Sequence, residues 1–435
     1  NQVDSETMMA ALDAAGWRAA PADEADLIII NTCGFIEAAK RESINTALLW
    51  RKKYPNKKIM MTGCLARRYG AELREALSEV DCIFENADPG DGTADIAAAA
   101  AGALGAAAPG PAPRAPCEPG ARPLLSSPGL AYLKVSEGCN NACSFCAIPL
   151  IRGPLRSRPI ESIVTEAEAL VTRRGVRELC LIGQDLAAYG MDRGGQALPA
   201  LLEALSRLQA APPCDFRVRL LYLHPDHFPE AILPIMARDS RFYPYFDIPF
   251  QHAAPAVLAA MRRTGSAASY LALLERIRAR LPDAVIRSTF MTGFPGETDA
   301  AFDALLRFQQ EARLDWMGCF CYSREEGTAA FSLPGRVSKK LAAERKAILE
   351  ERQVPITERA MDRFVGREAE ALVEEPFVMR DDDESPLALG RMFCQAPEVD
   401  GATVIKSPRP LAPGALARGR VSGRRGFDLE LVTSP

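Results

Sequence analysis

Ala131-Tyr132-Leu133-Lys134-Val135-Ser136-Glu137-Gly138-Cys139-Asn140-Asn141-Ala142-Cys143-Ser144-Phe145-Cys146 runs from a short apolar stretch into three cysteines within eight residues. Residues 131–135 read as a strand, and the loop after them carries the spacing Cys-x3-Cys-x2-Cys. The chain has 435 residues and twelve cysteines, and no signal peptide is expected. A tight cysteine group in that setting points to a metal site rather than a disulfide framework. Structural zinc wants four ligands, commonly in Cys-x2-Cys pairs, and no second pair or nearby His follows here. An electron-transfer ferredoxin uses four cysteines per cluster at other spacings. Three thiolates satisfy three irons of a [4Fe–4S] cluster and leave the fourth iron open.

That open position has a use. The amino and carboxylate groups of S-adenosylmethionine (SAM) chelate it, and one electron from the reduced cluster breaks the sulfonium C–S bond. The product is a 5′-deoxyadenosyl radical, which abstracts hydrogen from unactivated carbon. No side chain performs that step, so the cofactors carry it.

Outward from this loop the chain alternates strand and helix to about residue 330. Strands are predicted at 131–135, 178–182, 216–221, 245–248, 284–290 and 316–322. Helices are predicted between them, among others at 161–174, 197–209, 254–262, 268–280 and 298–311. Six β/α units in a row predict a partial (β/α)6 barrel of TIM type, whose active site belongs at the C-terminal ends of the strands. Upstream, Asp26–Ile30, Lys58–Thr62 and Val80–Phe84 read as strands around helices at 35–53 and 65–79. That rhythm predicts a doubly wound α/β domain. Residues 95–128 are rich in Ala, Pro and Gly and read as a linker, with an Ala-rich helix near 93–107. Residues 338–360 read as a charged helix. Short β runs at 368–373, 403–405 and 428–432 predict a small C-terminal β-barrel. The expected organisation is an N-terminal domain at 1–110, a linker at 111–124, a core at 125–360 and the small barrel at 361–435. The chain opens at Asn1 without a Met, which reads as a start inside a longer product.

Composition excludes little. Hydrophobic residues are 48% and charged residues 25%, with a net charge of −4. Nothing overall marks a nucleic-acid binder. No apolar run approaches the roughly 20 residues of a membrane span, so no membrane partner and a cytoplasmic location are expected.

At these motifs the chain resembles the radical-SAM methylthiotransferases over essentially its whole length. Asn1-Gln2-Val3-Asp4-Ser5-Glu6 resembles the end of the family's opening motif. Asn31-Thr32-Cys33-Gly34-Phe35 and Gly63-Cys64-Leu65 resemble its next two cysteine motifs. The resemblance implies a second [4Fe–4S] cluster that handles sulfur, held by three N-terminal cysteines. Cys33 and Cys64 match two of them, and the first belongs just before Asn1. Taken alone, Cys33 and Cys64 are two strand-end cysteines that packing would explain. Strand ends of a doubly wound sheet also converge on a ligand crevice.

Within the family, residues 151–159 (Ile-Arg-Gly-Pro-Leu-Arg-Ser-Arg-Pro), Gln184-Asp185, residues 247–253 and residues 396–401 resemble the RimO-type branch. Gly183 and Phe250 are small departures. That branch modifies an aspartate of small ribosomal subunit protein twelve. The resemblance therefore implies methylthiolation of an aspartyl β-carbon with two SAM molecules, a basic ribosomal protein as substrate and a low-potential electron donor. The C-terminal barrel resembles a TRAM domain. Residues 361–435 hold 13 Asp/Glu against 10 Lys/Arg, and Asp381-Asp382-Asp383-Glu384 is an acidic run. Such a balance favours a basic protein over tRNA phosphates, although a solvated loop explains the run equally well.

Candidate metal ligands are therefore Cys33, Cys64, Cys139, Cys143 and Cys146. Candidate SAM contacts are Phe145, Gln184, Asp185, Gly293 and Phe294. Phe145 reads equally as a packing ring, and Gly293 as part of a tight βα turn. His224 and His227 show no ligand spacing, and His252 reads as structural or pocket-lining. Arg324-Glu325-Glu326 resembles a family loop without a derivable role. Cys82, Cys117, Cys180, Cys214, Cys319, Cys321 and Cys394 read as packing or incidental. No catalytic acid or base is assigned. Two rivals stand beside this reading: a MiaB-type tRNA methylthiotransferase with the same chemistry, and a non-catalytic Fe–S electron-transfer protein.

Overall fold

Leu27-Ile28-Ile29-Ile30 is a run of β-branched and apolar residues that suits a strand covered on both faces. The structure, a computed structural model, describes residues 2–85, 94–105, 120–209, 215–377 and 386–433. Asn1, Cys117, Cys214, residues 111–119 of the linker and the acidic run 381–384 lie outside the described residues.

The N-terminal unit is α1 (Gln2–Ala14), β1 (Leu27–Thr32), α2 (Glu37–Lys53), β2 (Lys58–Gly63), α3 (Cys64–Ala76), β3 (Cys82–Ile83) and α4 (Ala94–Ala103). Its three strands are parallel in the order β1-β2-β3. Ala47 of α2 and Leu65 and Leu73 of α3 pack with Met61 on one face. Met8 of α1 and Ile96 of α4 pack with Met60 on the other. Helices on both faces bear out the doubly wound reading. The strand order never reverses, so no switch-point crevice brings Cys33 and Cys64 together. Register does so instead, because Thr32 pairs with Gly63 and each cysteine follows its strand. The Ala-rich helix is real and belongs to this unit rather than to a linker, since Ile96, Ala97, Ala100 and Ala101 are buried.

The core follows as β4 (Leu130–Lys134), β5 (Ser136–Glu137), α5 (Ile148–Arg152), β6 (Arg156–Ser157), α6 (Ile160–Arg174), β7 (Glu178–Ile182), α7 (Leu198–Ser206), β8 (Arg217–Leu220), α8 (Ile232–Arg238), β9 (Phe242–Asp247), α9 (Pro255–Ala260), α10 (Ala267–Arg280), β10 (Val285–Thr292), α11 (Asp299–Ala312) and β11 (Trp316–Cys321). Six parallel strands form one sheet in the order β4-β7-β8-β9-β10-β11, and β4 and β11 remain its edges. This is the expected partial barrel. The outward faces of the strands carry Leu133, Leu181, Leu220, Phe246 and Phe290 into the helical layer.

Helix α12 (Lys339–Asp362) leads to β12 (Glu368–Phe377), β13 (Leu387–Met392), β14 (Thr403–Lys406), β15 (Leu416–Arg425) and β16 (Asp428–Thr433). These close into a five-stranded barrel in the order β12-β13-β14-β16-β15. Sequence pattern misses β13 and β15. Glycines 390, 419 and 423 interrupt their alternation, and β15 exposes Arg418, Arg420 and Arg425 on its outer face.

This barrel plugs the N-terminal end of the large sheet. Leu130, Tyr243, Val285 and Trp316 share an apolar cluster with Met392, Cys394 and Ala396. At its centre Glu178 is ion-paired with Arg219 at 2.6 Å and Arg391 at 3.1 Å, all three fully or nearly fully buried. The two cations outweigh the burial that would raise the carboxyl of Glu178, and hold it down to about 2. The cysteine loop lies toward the opposite end, after β4 finishes.

Candidate functional site

After β4 the chain makes a small antiparallel ladder, β5 with β6, and the cysteine loop lies between its two strands. Gly138 turns with φ +78°, and a Cβ there would lie 2.0 Å from the carbonyl oxygen of Pro154, so only glycine fits. The loop is held from within and from the end of α9. Cys139 N–H donates to Gly153 at 3.2 Å, and the Asn140 carboxamide accepts from Leu155 N–H at 3.0 Å. Ser144 donates through its N–H to Met261 and through its hydroxyl to Ala260, at the end of α9.

Two of the sulfurs already accept N–H bonds, Cys139 from Asn141 at 3.4 Å and Cys146 from Ile148 at 3.5 Å. Burial still pushes the thiol of Cys139 up to about 11 and that of Cys146 up to about 12, and Cys143 adds to both as a like charge. These thiols therefore need a cation before they ionise, as metal ligands do. Among the described residues, no three His, Cys, Asp or Glu side chains converge to hold a single metal ion. A cluster asks for something different, one thiolate on each of three irons. Three neighbouring thiols on one pinned loop fit that demand.

A polar group stands beside them. Asp185 follows β7, is 3% exposed, and accepts from Asn141 at 2.7 Å. Its carboxylate also meets His227 Nε2 at 2.7 Å and accepts from the Ala187 and His224 N–H groups. Burial raises its pKa, but His227 and the other donors outweigh burial and hold it below the ordinary range. His224 stacks on His227 with ring centroids 4.6 Å apart, and its Nε2 lies 4.0 Å from the Cys143 sulfur. Burial and Arg263 hold His224 down to about 3, so it is neutral. Its Nδ1 accepts from Asp226 N–H, which leaves the proton on the Nε2 that faces sulfur. Sequence spacing gave no sign of either histidine.

The other candidates divide. Gln184 donates to Glu137 at 3.3 Å, one residue before Gly138. Phe145 packs with Phe294, which is fully buried and lies edge-on to Tyr322. The N–H groups of Gly293 and Phe294 both donate to the Glu297 carboxylate, itself paired with buried Arg345. A Cβ on Gly293 would meet Ala342 of α12 at 2.4 Å. Burial and turn chemistry thus account for Gly293 and Phe294 as the geometry stands. His252 is fully buried, as a structural histidine would be.

Cys33 and Cys64 come together at the ends of β1 and β2. A Cβ on Gly34 would lie 2.9 Å from the backbone of Cys64, so the turn after Cys33 closes directly on the second cysteine. Burial raises the Cys33 thiol, and Cys64 adds to this as a like charge. Cys64 packs on Ala147 and Ile151, and its sulfur accepts from Arg152 at 3.0 Å. Arg152 is in turn paired with Asp4 at 2.8 Å and Glu137 at 3.3 Å. Lys134 joins the same two carboxylates. Helix α5 begins two residues after Cys146 and ends at Arg152, so one short helix separates the two cysteine sites. Only their placement in space reveals Arg152, Asp4 and Glu137 as part of this junction.

With this geometry established, relatives sharpen the reading. Residues 133–308 match the radical SAM superfamily, residues 1–85 match the uncharacterized protein family UPF0004, and residues 365–432 match the TRAM domain. The ribosomal protein uS12 methylthiotransferase RimO of Treponema denticola is 42% identical over 99% of this chain and 98% of its own length. The protein of that name from Syntrophomonas wolfei is 38% identical over 99% of this chain and 96% of its own. The chain belongs to the RimO family of radical-SAM methylthiotransferases. It is therefore an enzyme that works with SAM and an iron–sulfur cluster. Among solved structures, the radical SAM methyltransferase TsrM of Kitasatospora setae covers 76% of this chain and 74% of its own at a TM-score of 0.56 and 16% identity, which supports the fold alone. For a RimO-family chain, the fastening of Cys64 to the end of the radical-SAM loop is the feature with the clearest chemical consequence.

Proposed function

We propose that this chain transfers a methylthio group to the β-carbon of an aspartyl side chain in ribosomal protein uS12, consuming two SAM molecules. The observation that carries the reading is the junction at α5, where two cysteine sites of different build are joined by one short helix. Cys139, Cys143 and Cys146 would hold the radical-SAM cluster, and Cys33 and Cys64 would be two ligands of a second. When bound, a cluster with SAM supplies one-electron cleavage of the sulfonium bond and hence a carbon radical. The residues of the chain do the rest of the positioning. Asn141, Asp185 and His227 fix the loop, and His224 offers N–H toward Cys143. Arg152 gives the Cys64 sulfur a cationic partner, and Gln184 and Asp185 lie close enough to the loop to contact SAM. A low-potential electron donor and a cytoplasmic setting go with this chemistry.

The charge argument for a basic partner changes form. The described residues of the small barrel carry nine acidic against nine basic side chains, so the acidic excess lies wholly in residues 378–385. Arg418 and Arg424 on β15 are already paired with Glu370 and Asp362, which weakens the case for a tRNA surface. The test incubates reconstituted protein with SAM, sulfide and reductant, and with either uS12 or tRNA. Mass spectrometry should find the methylthio group on an aspartate of uS12. Modified adenosine in the tRNA with unmodified uS12 would overturn the reading.

A further inference from the structure

We infer that Glu325 is a positioning residue that keeps the Cys33–Cys64 site in register with the Cys139–Cys146 loop. The inference rests on the reading above, in which the first site handles sulfur and the second starts the radical.

Glu325 lies beyond β11, on the barrel, and is 2% exposed. Its carboxylate accepts from Lys40 Nζ at 3.0 Å and Arg68 at 2.7 Å. Those two cations are not arbitrary. Lys40 stands in the first turn of α2, the helix that follows Cys33, and Arg68 in the second turn of α3, the helix that begins at Cys64. One carboxylate thus holds the helices behind both cysteines. Arg68 also donates to the carbonyl of Gly34 at 3.0 Å and to that of Glu326 at 2.7 Å, tying the turn after Cys33 to the barrel loop. Ser323 adds another tie, accepting from the first N–H of α2 while donating to Glu325.

The same loop reaches the radical site. The Glu325 carbonyl accepts from the Thr328 hydroxyl at 2.7 Å, and Ala330 N–H donates to the carbonyl of Ser144 at 2.8 Å. Ser144 sits between Cys143 and Cys146. A path of hydrogen bonds and two residues of backbone therefore runs from Gly34 through Arg68, Glu325 and Thr328–Ala330 to the cysteine loop. An ion pair serving only to fasten two domains could sit anywhere on their contact. This one grips the backbone beside one candidate cluster ligand and connects to the loop that carries three others. Chemistry that passes an atom between two sites is steeply sensitive to their separation, and a misplacement of about 1 Å can cost around 100-fold. Sulfur insertion should feel a loosened Glu325, while SAM cleavage, local to one loop, should not.

The experiment compares Glu325→Gln, Glu325→Asp and Lys40→Gln with the unaltered protein. It measures 5′-deoxyadenosine formed per methylthio product, and hydrogen exchange of residues 33–36. In Glu325→Gln, SAM cleavage should stay within about twofold while deoxyadenosine per product rises at least about tenfold, the usual scale for outer partners of a metal site. Exchange at 33–36 should quicken, and Glu325→Asp should recover most of the ratio. Lys40→Gln removes the more exposed partner and should show a smaller rise, so it carries the test if Glu325→Gln fails to fold. An unchanged ratio and unchanged exchange would overturn the proposal, as would parallel loss of cleavage and product. If the unaltered protein forms no methylthio product, the functional reading fails on its own, and exchange at 33–36 then decides the clamp.

Discussion

The two cysteine sites are built in opposite ways. Cys139, Cys143 and Cys146 come from one loop, which hydrogen bonds within residues 138–155 shape and which Asp185, Ala260, Met261 and Ala330 pin from outside. Cys33 and Cys64 come from the ends of two strands and are brought side by side by the register of β1 with β2. Their surroundings are borrowed from farther away still: Arg152 from the barrel, Asp4 from α1, and Glu325 from beyond β11. A site that is local in sequence can form wherever its loop forms. A site assembled across domains depends on every contact that holds those domains. Chemistry that needs both is then limited by the second.

The largest effects should fall on the proposed cluster ligands and should differ between the sites. Cys143→Ala removes one of three thiolates, and reductive SAM cleavage should fall below detection, with methylthiolation lost alongside it. Cys64→Ala should abolish methylthiolation yet leave SAM cleavage near its starting rate. Chromatography of 5′-deoxyadenosine beside mass spectrometry of the protein substrate separates the two. Loss of SAM cleavage in Cys64→Ala would break the comparison, because the radical site would then depend on the assembled one.

This difference also explains what the sequence discloses. The Cys-x3-Cys-x2-Cys spacing is short range, so the candidate cysteine loop and the barrel around it are legible from pattern alone. So are α12 and the strands β1 and β2, whose apolar runs are continuous. The third strand is only Cys82–Ile83, paired with Met60 and Met61 of β2. Long-range partners leave no local trace. His224 and His227 lie some 80 residues from the loop they approach, and Glu325 lies 285 from Lys40. Burial explains Phe294, whose place in a glycine-rich turn suggests a cofactor contact although its ring sits in an apolar cluster.

Arg152 sharpens the comparison at the junction. Arg152→Met keeps an apolar stem against Cys64 but removes the cation and its ion pairs with Asp4 and Glu137. Methylthiolation should drop about 10–100-fold, the scale seen for outer partners of metal ligands. SAM cleavage should change much less. The check is the ratio of the two products, together with iron content per chain. An equal fall in both would mean that Arg152 supports the radical loop rather than the Cys64 sulfur.

A control at the far end of the barrel should move stability and leave both sites alone. Glu178 is fully buried between Arg219 and Arg391, some distance in sequence and structure from either cysteine group. Glu178→Gln leaves buried Arg219 without a carboxylate and Arg391 with Glu374 alone, and should destabilise the chain by about 3 kcal/mol. The pH dependence has a definite sign. The folded carboxyl titrates at about 2, below its ordinary value of 4.5. Its contribution is therefore fully present above about pH 4.5 and is lost as pH falls through about 2. The contact between the two barrels should survive at pH 4, where exposed carboxylates are already taking up protons. Thermal unfolding of both proteins at pH 4 and pH 7 tests this, and the variant should lie below its parent at both, by a somewhat smaller margin at pH 4. Once reconstituted and assayed well below its unfolding temperature, Glu178→Gln should keep unaltered iron content and an unaltered ratio of deoxyadenosine to methylthio product. A raised ratio would show that the small barrel reaches the assembled site through the sheet, and the division between a local site and a borrowed one would have to include it.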